Sequence, residues 1–285
     1  MNSQRIAVIT DTGADTPADF AREHDVRIVP LCINFSDGST YKSGVTITPE
    51  QLIERMATEI PSTSLPSPET IRREFDRARD DGYVAAVFVS ISAGLSATCD
   101  TVRMVADQLD GFPVEVVDTR SIGIGAGIVV MEAVRMVEAG ITLQHLGAML
   151  ELVARKNSVF FSVKSLEYLR KGGRISAAVY RLGSALNIKP VITCNARGTY
   201  VVARKARGWE RAISAQISLV EERARRYDKV RVAICCSSAC DMFDELEERV
   251  LAQVDNAVEV IRSGVSAELL VHTGPEIVGI CIQGV

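Results

Sequence analysis

Tyr83-Val-Ala-Ala-Val-Phe-Val-Ser90, running straight into Ile91-Ser-Ala-Gly-Leu-Ser-Ala-Thr98, decides the fold class. The first stretch is a strongly apolar strand. It empties into a hydroxyl-rich loop, after which Val102, Val105 and Leu109 recur at helical spacing until Gly111 ends the run. Val114-Glu-Val-Val117 is the next strand, and an apolar helix follows from Ile122 to Val137. Upstream, Ile6-Ala-Val-Ile-Thr10 is short, apolar and β-branched, as expected of a strand buried on both faces. Thr16 is expected to cap a helix whose first residue is Pro17, and Arg27–Ile33 is a second strand. Asn34–Gly44, with Asp37-Gly38, resembles a hairpin excursion; Pro49 starts a helix to about Glu59, and Ser67-Pro68 caps another. Strand–helix repetition of this kind predicts a mostly parallel sheet flanked by helices.

The texture changes after about Val153. Val159–Val163, Leu186–Thr193 and Thr199–Lys205 are predicted strands, the last two joined by the turn Asn195-Ala-Arg-Gly198. Amphipathic helices are expected over Trp209–Tyr227 and Asp241–Val254, with the strand Val230–Cys236 between them and a final strand at Ile277–Ile282. The expected organisation is α/β in two domains, residues 1–153 and 154–285, with a ligand between them.

Composition narrows the function. The 285 residues carry a formal net charge of −4, which argues against a nucleic-acid binder driven by phosphate neutralisation. The longest apolar helical stretch contains Glu132 and Arg135, so it is a buried helix rather than a membrane span. The N-terminus enters a strand pattern directly, so the cytoplasm is the expected compartment. Seven cysteines without a Cys-x-x-Cys spacing read as buried reduced thiols, and no metal site is expected. Asp11-Thr-Gly13 suggests an aspartic protease, but no second such loop exists; Asp11, at a strand's end, is expected to accept hydrogen bonds from loop amides. Gly123, Gly125 and Gly127 miss the dinucleotide spacing because residue 128 is isoleucine, and are expected where a helix packs closely.

Against the acidic background, Leu166-Glu-Tyr-Leu-Arg-Lys-Gly-Gly-Arg-Ile-Ser176 concentrates Arg170, Lys171 and Arg174 around a Gly172-Gly173 break. Such a turn suggests an anion site or a docking patch. Thr63 and Ser64 lie between Pro61 and Pro66, in an expected stiff loop, and Ser96 stands where a helix begins. A hydroxyl with free amides at a helix start can receive a carboxylate or phosphate, although simple capping is the plainer role. His24 and His145 sit among helical residues as surface or satisfied partners. His272, in Val271-His-Thr-Gly-Pro275, is placed in a turn where its ring could face a cleft.

Ile9-Thr-Asp-Thr-Gly-Ala-Asp15, Pro61-Ser-Thr-Ser-Leu-Pro-Ser-Pro68, Ser92–Thr98, Leu166–Ser176, Leu186-Asn-Ile-Lys-Pro190 and His272–Pro275 together resemble the DegV family nearly end to end. The resemblance implies a bacterial fatty-acid-binding protein, in some members the acyl-presenting subunit of a fatty acid kinase whose separate subunit phosphorylates the bound carboxyl group. It further implies that Thr63 and Ser96 hold the carboxylate, with Ser64 and Ser92 as additional hydroxyls and His272 near the head group. Arg170, Arg174 and Arg207 match the family's basic positions and would meet a kinase partner or an acyl phosphate. Three positions depart from the family pattern: Leu65 replaces a common glutamine, Ala93 a common serine and Ala97 a usual glycine.

A carrier of this kind needs no cofactor and no catalysis of its own. Burying an acyl chain of ~16 carbons at about 0.8 kcal/mol per methylene gives roughly 12 kcal/mol before the costs of association. The head-group hydroxyls then mainly set orientation. The alternatives are an enzyme acting on a small anionic acyl or phosphate substrate, with Asp11 or His272 as acid–base, and a purely regulatory protein.

Overall fold

The structure, a computed structural model, describes residues 2–176, 180 and 188–285. Its first half runs β1 (Ile6–Asp11), α1 (Ala18–Glu23), β2 (Arg27–Val29), β3 (Cys32–Asn34), β4 (Thr40–Lys42), α2 (Pro49–Met56), β5 (Ser62–Ser64), α3 (Pro68–Asp80), β6 (Ala85–Ser90), α4 (Thr98–Ala106), β7 (Val114–Asp118), α5 (Ile124–Glu138) and α6 (Leu143–Arg155). The second half runs β8 (Asn157–Val163), α7 (Glu167–Lys171), β9 (Ile188–Cys194), β10 (Tyr200–Arg207), α8 (Trp209–Ala224), β11 (Val230–Cys236), α9 (Phe243–Leu251), β12 (Ala257–Ser263), α10 (Ala267–Thr273) and β13 (Ile277–Gly284). Leu186 and Asn187, placed at the start of a strand from sequence, lie outside the described residues.

The expected α/β class holds. Strands β2-β1-β6-β7 form an all-parallel sheet, and every residue of β1 and β6 is buried, which is why both read as unbroken apolar runs. The later strands form a second sheet in the order β10-β9-β8-β13-β11-β12, antiparallel except for β11 with β12. The hairpin excursion expected at Asn34–Gly44 is larger than a hairpin: β5 adds to it, making a three-stranded antiparallel sheet β4-β3-β5.

Local signals set several helix starts. Thr48 and Gln51 close a capping box ahead of Pro49, and Ser67 Oγ accepts from the Thr70 amide ahead of Pro68. At α1 the expected cap is off by one residue: Pro17 is the N-cap and the Thr16 hydroxyl is buried without a partner. The missed elements are α6, α7, β12 and α10, the last a short helix whose last turn carries His272 where a turn was expected.

Helix α5 joins the two larger sheets. Eleven of its fifteen residues are buried, and its apolar surface packs with β1 and β6 on one side and with β8, β11 and β13 on the other. The backbone must come close for this. A Cβ on Gly127 would lie 2.5 Å from the Ala14 carbonyl oxygen, so the glycine expected to serve helix packing does so. On the other face Asn157 Nδ2 donates to the Gly125 carbonyl. The charges that made a membrane span improbable in the sequence have a use here. Glu132 and Arg135 of α5 join Arg231 and Glu259 in a ring of ion pairs between 2.5 and 2.9 Å. No helix among the described residues is long and apolar enough to cross a membrane.

Two further clasps bind the halves. The Ser263 hydroxyl donates to the Asp15 carbonyl at 2.6 Å and the Ser266 amide to Asp15 Oδ1 at 2.9 Å. Opposite them, the turn Asn195–Gly198 docks on the loop after β6, where Ser92 Oγ donates to the Gly198 carbonyl at 2.9 Å. Replacing Gly127 with alanine is expected to lower the unfolding free energy by about 1–3 kcal/mol, because backbone rather than a flexible side chain must move. Urea unfolding of the two proteins measures it.

Candidate functional site

In an open parallel sheet, ligands collect beyond the carboxyl ends of the strands where the strand order reverses. Here the reversal lies between β1 and β6, and a cavity of about 540 Å³ opens beside the loops that leave them. Leu31, Ile91, Leu95, Ile122 and Leu269 supply apolar lining. Thr63, Ser64, Ser96, Asp100, Arg174, Tyr200, Glu268 and His272 supply the polar atoms. A second, outer hollow of about 440 Å³ shares Thr63, Arg174 and His272 and adds Lys171 and Glu59. Those three shared residues therefore stand at the junction between an inner cavity and an outer one.

Thr63 sits on β5, not in a loop, and its pairing with β3 holds it opposite Ile33. Its Oγ1 lies 2.7 Å from His272 Nε2, across 209 residues of sequence. The imidazole is pressed onto the basic turn: a Cβ on Gly172 would meet His272 Nδ1 at 2.2 Å. Gly173 has φ +73°, so the two glycines of the break answer different needs, close approach at one and backbone conformation at the other. Burial, and secondarily the Arg174 charge, pushes the His272 imidazole down to about 3, so the ring is neutral near pH 7.

Ser96 faces the cavity from the start of α4. Its Oγ lies 2.8 Å from Thr98 Oγ1 and accepts from the Thr98 amide at 3.3 Å. Ser64 also lines the cavity, exposed, its Oγ accepting from Asn34 Nδ2 at 3.1 Å. Ser92 does not reach the cavity: it is fully buried and its hydroxyl is committed to the Gly198 carbonyl and the Gly94 amide.

The three arginines part company. Arg174 lines both hollows and donates to the carbonyls of Gly172 and Leu95, at 2.5 and 3.4 Å. Among the described residues it has no carboxylate partner, and burial pulls its basicity below the ordinary value. Arg170 lines neither hollow; its guanidinium stacks 4.7 Å over the Tyr180 ring. Arg207 is an exposed residue at the end of β10, paired with Ile188 and also away from both hollows. The three positions that depart from the family pattern, Leu65, Ala93 and Ala97, all line the inner cavity and make its rim more apolar.

Glu268 and Tyr200 are site residues that sequence reasoning missed. Glu268 is 1% exposed and neither carboxyl oxygen has a hydrogen-bond partner, although the Ser43 and Thr12 hydroxyls stand near it. Burial raises its affinity for a proton above that of an exposed glutamate. A lone acid inside the apolar run Val265–Val271 was the available signal. Deeper still, Asp11 accepts from the amides of Gly13 and Ile91 at 3.1 Å each, as expected of a strand-end aspartate, and burial pushes its carboxyl up to about 7. All seven cysteines are free thiols, and no cluster able to hold a metal occurs among the described residues.

The cavity at the sheet's switch point thus combines an apolar lining with hydroxyls, a neutral imidazole and a guanidinium at its junction with the outer hollow. Comparison with known proteins places the chain more closely. A family model described as "Uncharacterised protein, DegV family" matches residues 5–284, and the chain belongs to the DegV family. A DegV domain-containing protein of Clostridium perfringens is 30% identical over 283 residues, covering 98% of this chain and 99% of that one. Among solved structures, a fatty-acid-binding DegV family protein from Thermus thermophilus superposes with a TM-score of 0.90 at 32% identity, covering 99% of this chain and 100% of that one. The fatty-acid-binding DegV family protein SAG1342 from Streptococcus agalactiae gives 0.86 at 26% identity, over 98% and 99% of the two chains.

The buried titrating groups give opposite pH dependences. Between its ordinary 6.5 and about 3, unfolded His272 holds a proton that the folded ring refuses, so stability falls as pH drops through that window. Asp11 does the reverse. Between about 7 and its ordinary 3.8 the folded carboxyl keeps a proton that the unfolded one has lost, so its contribution grows as pH falls. Urea unfolding between about pH 4 and 6 should therefore show a steeper loss of stability on acidification in Asp11→Asn and a shallower one in His272→Gln.

Proposed function

We propose that the protein holds a long-chain fatty acid with its hydrocarbon chain in the inner cavity and its carboxylate at the Thr63–His272 pair, and presents that carboxylate to a kinase subunit. The observation that carries this reading is the 2.7 Å contact between Thr63 and His272 at the junction of the two hollows. A neutral imidazole has one N–H. With that proton on Nε2 the ring donates to Thr63 Oγ1, and the threonine's own proton is left to donate outward to a carboxylate oxygen. Ser96 Oγ accepts from the Thr98 amide, and with the Thr98 hydroxyl also donating to it, its proton is free for the other oxygen. Arg174 supplies the compensating charge. In this reading residues 1–153 contribute Thr63 and Ser96 to the head-group site and residues 154–285 contribute Arg174 and His272.

The outer hollow suits presentation. It leads from the head group past Lys171 and Glu59 to the surface, and Arg170 stands outside it, available to a partner. Arg207 is the more distant basic position for the same partner. Nothing in this scheme asks the chain to catalyse; phosphoryl transfer belongs to the partner, and the carrier works in the cytoplasm without a cofactor.

Purified protein, denatured and extracted, should release close to one long-chain fatty acid per chain by mass spectrometry. Thr63→Val combined with Ser96→Ala should weaken the Kd for a titrated long-chain fatty acid about tenfold with the fold preserved by circular dichroism, a loss of ~1.4 kcal/mol in binding. An affinity equal to the parent's would remove the head-group assignment, and an empty parent protein would remove the carrier itself. Arg174→Ala should lose lipid, whereas Arg170→Ala should keep it and slow phosphorylation of the bound acid by a partner kinase. If both arginine variants behave alike, their separation between cavity and surface has no functional meaning.

A further inference from the structure

Among the described residues four hydroxyls line the inner cavity, those of Thr63, Ser64, Ser96 and Tyr200. Three are engaged within the protein: Thr63 with His272 at 2.7 Å, Ser64 with Asn34 at 3.1 Å and Ser96 with Thr98 at 2.8 Å. Tyr200 Oη alone has no hydrogen-bond partner among the described residues. Its oxygen is not sealed away either, unlike those of Glu268, which are buried toward Ser43 and Thr12.

The phenol is held in place. Tyr200 opens β10 opposite Cys194, and its ring meets Phe161 edge to face at 5.2 Å between centroids. The turn before it is pinned at both ends, by Asn195 Nδ2 donating to Thr199 Oγ1 at 2.7 Å and by Ser92 Oγ donating to the Gly198 carbonyl at 2.9 Å. Tyr200 keeps some accessible surface, yet burial dominates its titration and pushes the phenol well above its ordinary value. The surface it keeps therefore faces an enclosed space, and the inner cavity is the space it lines.

Thr63, Arg174 and His272 border both hollows, whereas Tyr200 borders the inner one and not the outer. It is set back from the junction, in a space that Leu95, Ile122 and Leu269 also line. A plain methylene chain pressed against this phenol would leave an O–H that has lost water and gained no acceptor. An oxygen carried on the chain, an alcohol's or a ketone's, meets the same difficulty against leucine and isoleucine. When the two meet, the phenol donates, the chain oxygen accepts, and both costs are relieved.

Resting on the fatty-acid reading above, we propose that Tyr200 is a specificity-determining residue that selects acyl chains oxygenated at mid-chain, its hydroxyl donating to the chain oxygen. Thr63, Ser96, His272 and Arg174 serve the carboxylate in this scheme, and Tyr200 reads the chain. A site built to hydrogen-bond a ligand oxygen discriminates strongly against an isostere that lacks it, because its own polar group is then left unpaired.

Competition against radiolabelled stearic acid on the full chain tests the assignment. The competitors are stearic acids carrying a hydroxyl, a ketone or a methyl branch at the same carbon, moved along the middle of the chain. At one or two adjacent carbons the hydroxy and keto acids should bind at least about tenfold more tightly than the methyl-branched acid of nearly equal size. Tyr200→Phe, which keeps the ring on Phe161, should abolish that ratio and leave stearic acid itself bound as before or more tightly. Thr63→Val should weaken all the acids alike and preserve the ratio. Stearic acid bound by the parent with no preference for oxygen at any carbon, or a preference that survives Tyr200→Phe, would overturn the inference and leave the carrier reading intact. Weaker stearic acid binding in Tyr200→Phe would assign the phenol to the carboxylate and overturn it as well. A parent that binds none of the acids would remove the carrier reading and this inference together. Should Tyr200→Phe fail to fold, the parent's ratio decides alone.

Discussion

The architecture depends on how closely one helix can approach two sheets. α5 is buried along most of its length because β1 and β6 cover one side of it and β8, β11 and β13 the other. Gly127 lets its backbone meet the loop after β1, and Asn157 anchors the opposite face at the Gly125 carbonyl. A helix so placed keeps little solvated surface, so its apolar residues run nearly all round and its few charges must find partners. The ion-pair ring of Glu132, Arg135, Arg231 and Glu259 meets that requirement at the edge of the contact.

Sheets held at this spacing define the hollows between them. The loops after β1 and β6 stay on one side of the inner cavity, while the turn after α7, α10 and β10 bring Arg174, His272 and Tyr200 to the other. The polar atoms differ in state as well as position. His272 is neutral because burial and a nearby guanidinium both oppose its proton, and Glu268 holds a proton more readily than an exposed glutamate because its oxygens have left water. Under the proposed function the mouth offers donors and the Arg174 cation to an anionic head group. The apolar lining would then receive the rest of the ligand, where affinity scales with area buried rather than with the number of hydrogen bonds.

Much of this was legible in the chain. Ile6–Thr10 and Tyr83–Ser90 announced a buried parallel sheet, Thr48-Pro49 and Ser67-Pro68 announced helix starts, and Thr63, Ser96 and His272 were picked out as head-group candidates, all three of which line one cavity. These signals are local: they depend on side-chain period, capping and turn chemistry, which neighbours in sequence settle between themselves. Other features were not legible. The sequence groups Arg170 with Arg174, yet one stacks on an outer tyrosine and the other enters the cavity; it groups Ser92 with Ser96, yet Ser92 clasps a distant hairpin. Glu268 and Tyr200 gave no motif at all. Which way a side chain points into a space shared by residues two hundred positions apart depends on how whole elements pack, and only tertiary structure carries that information.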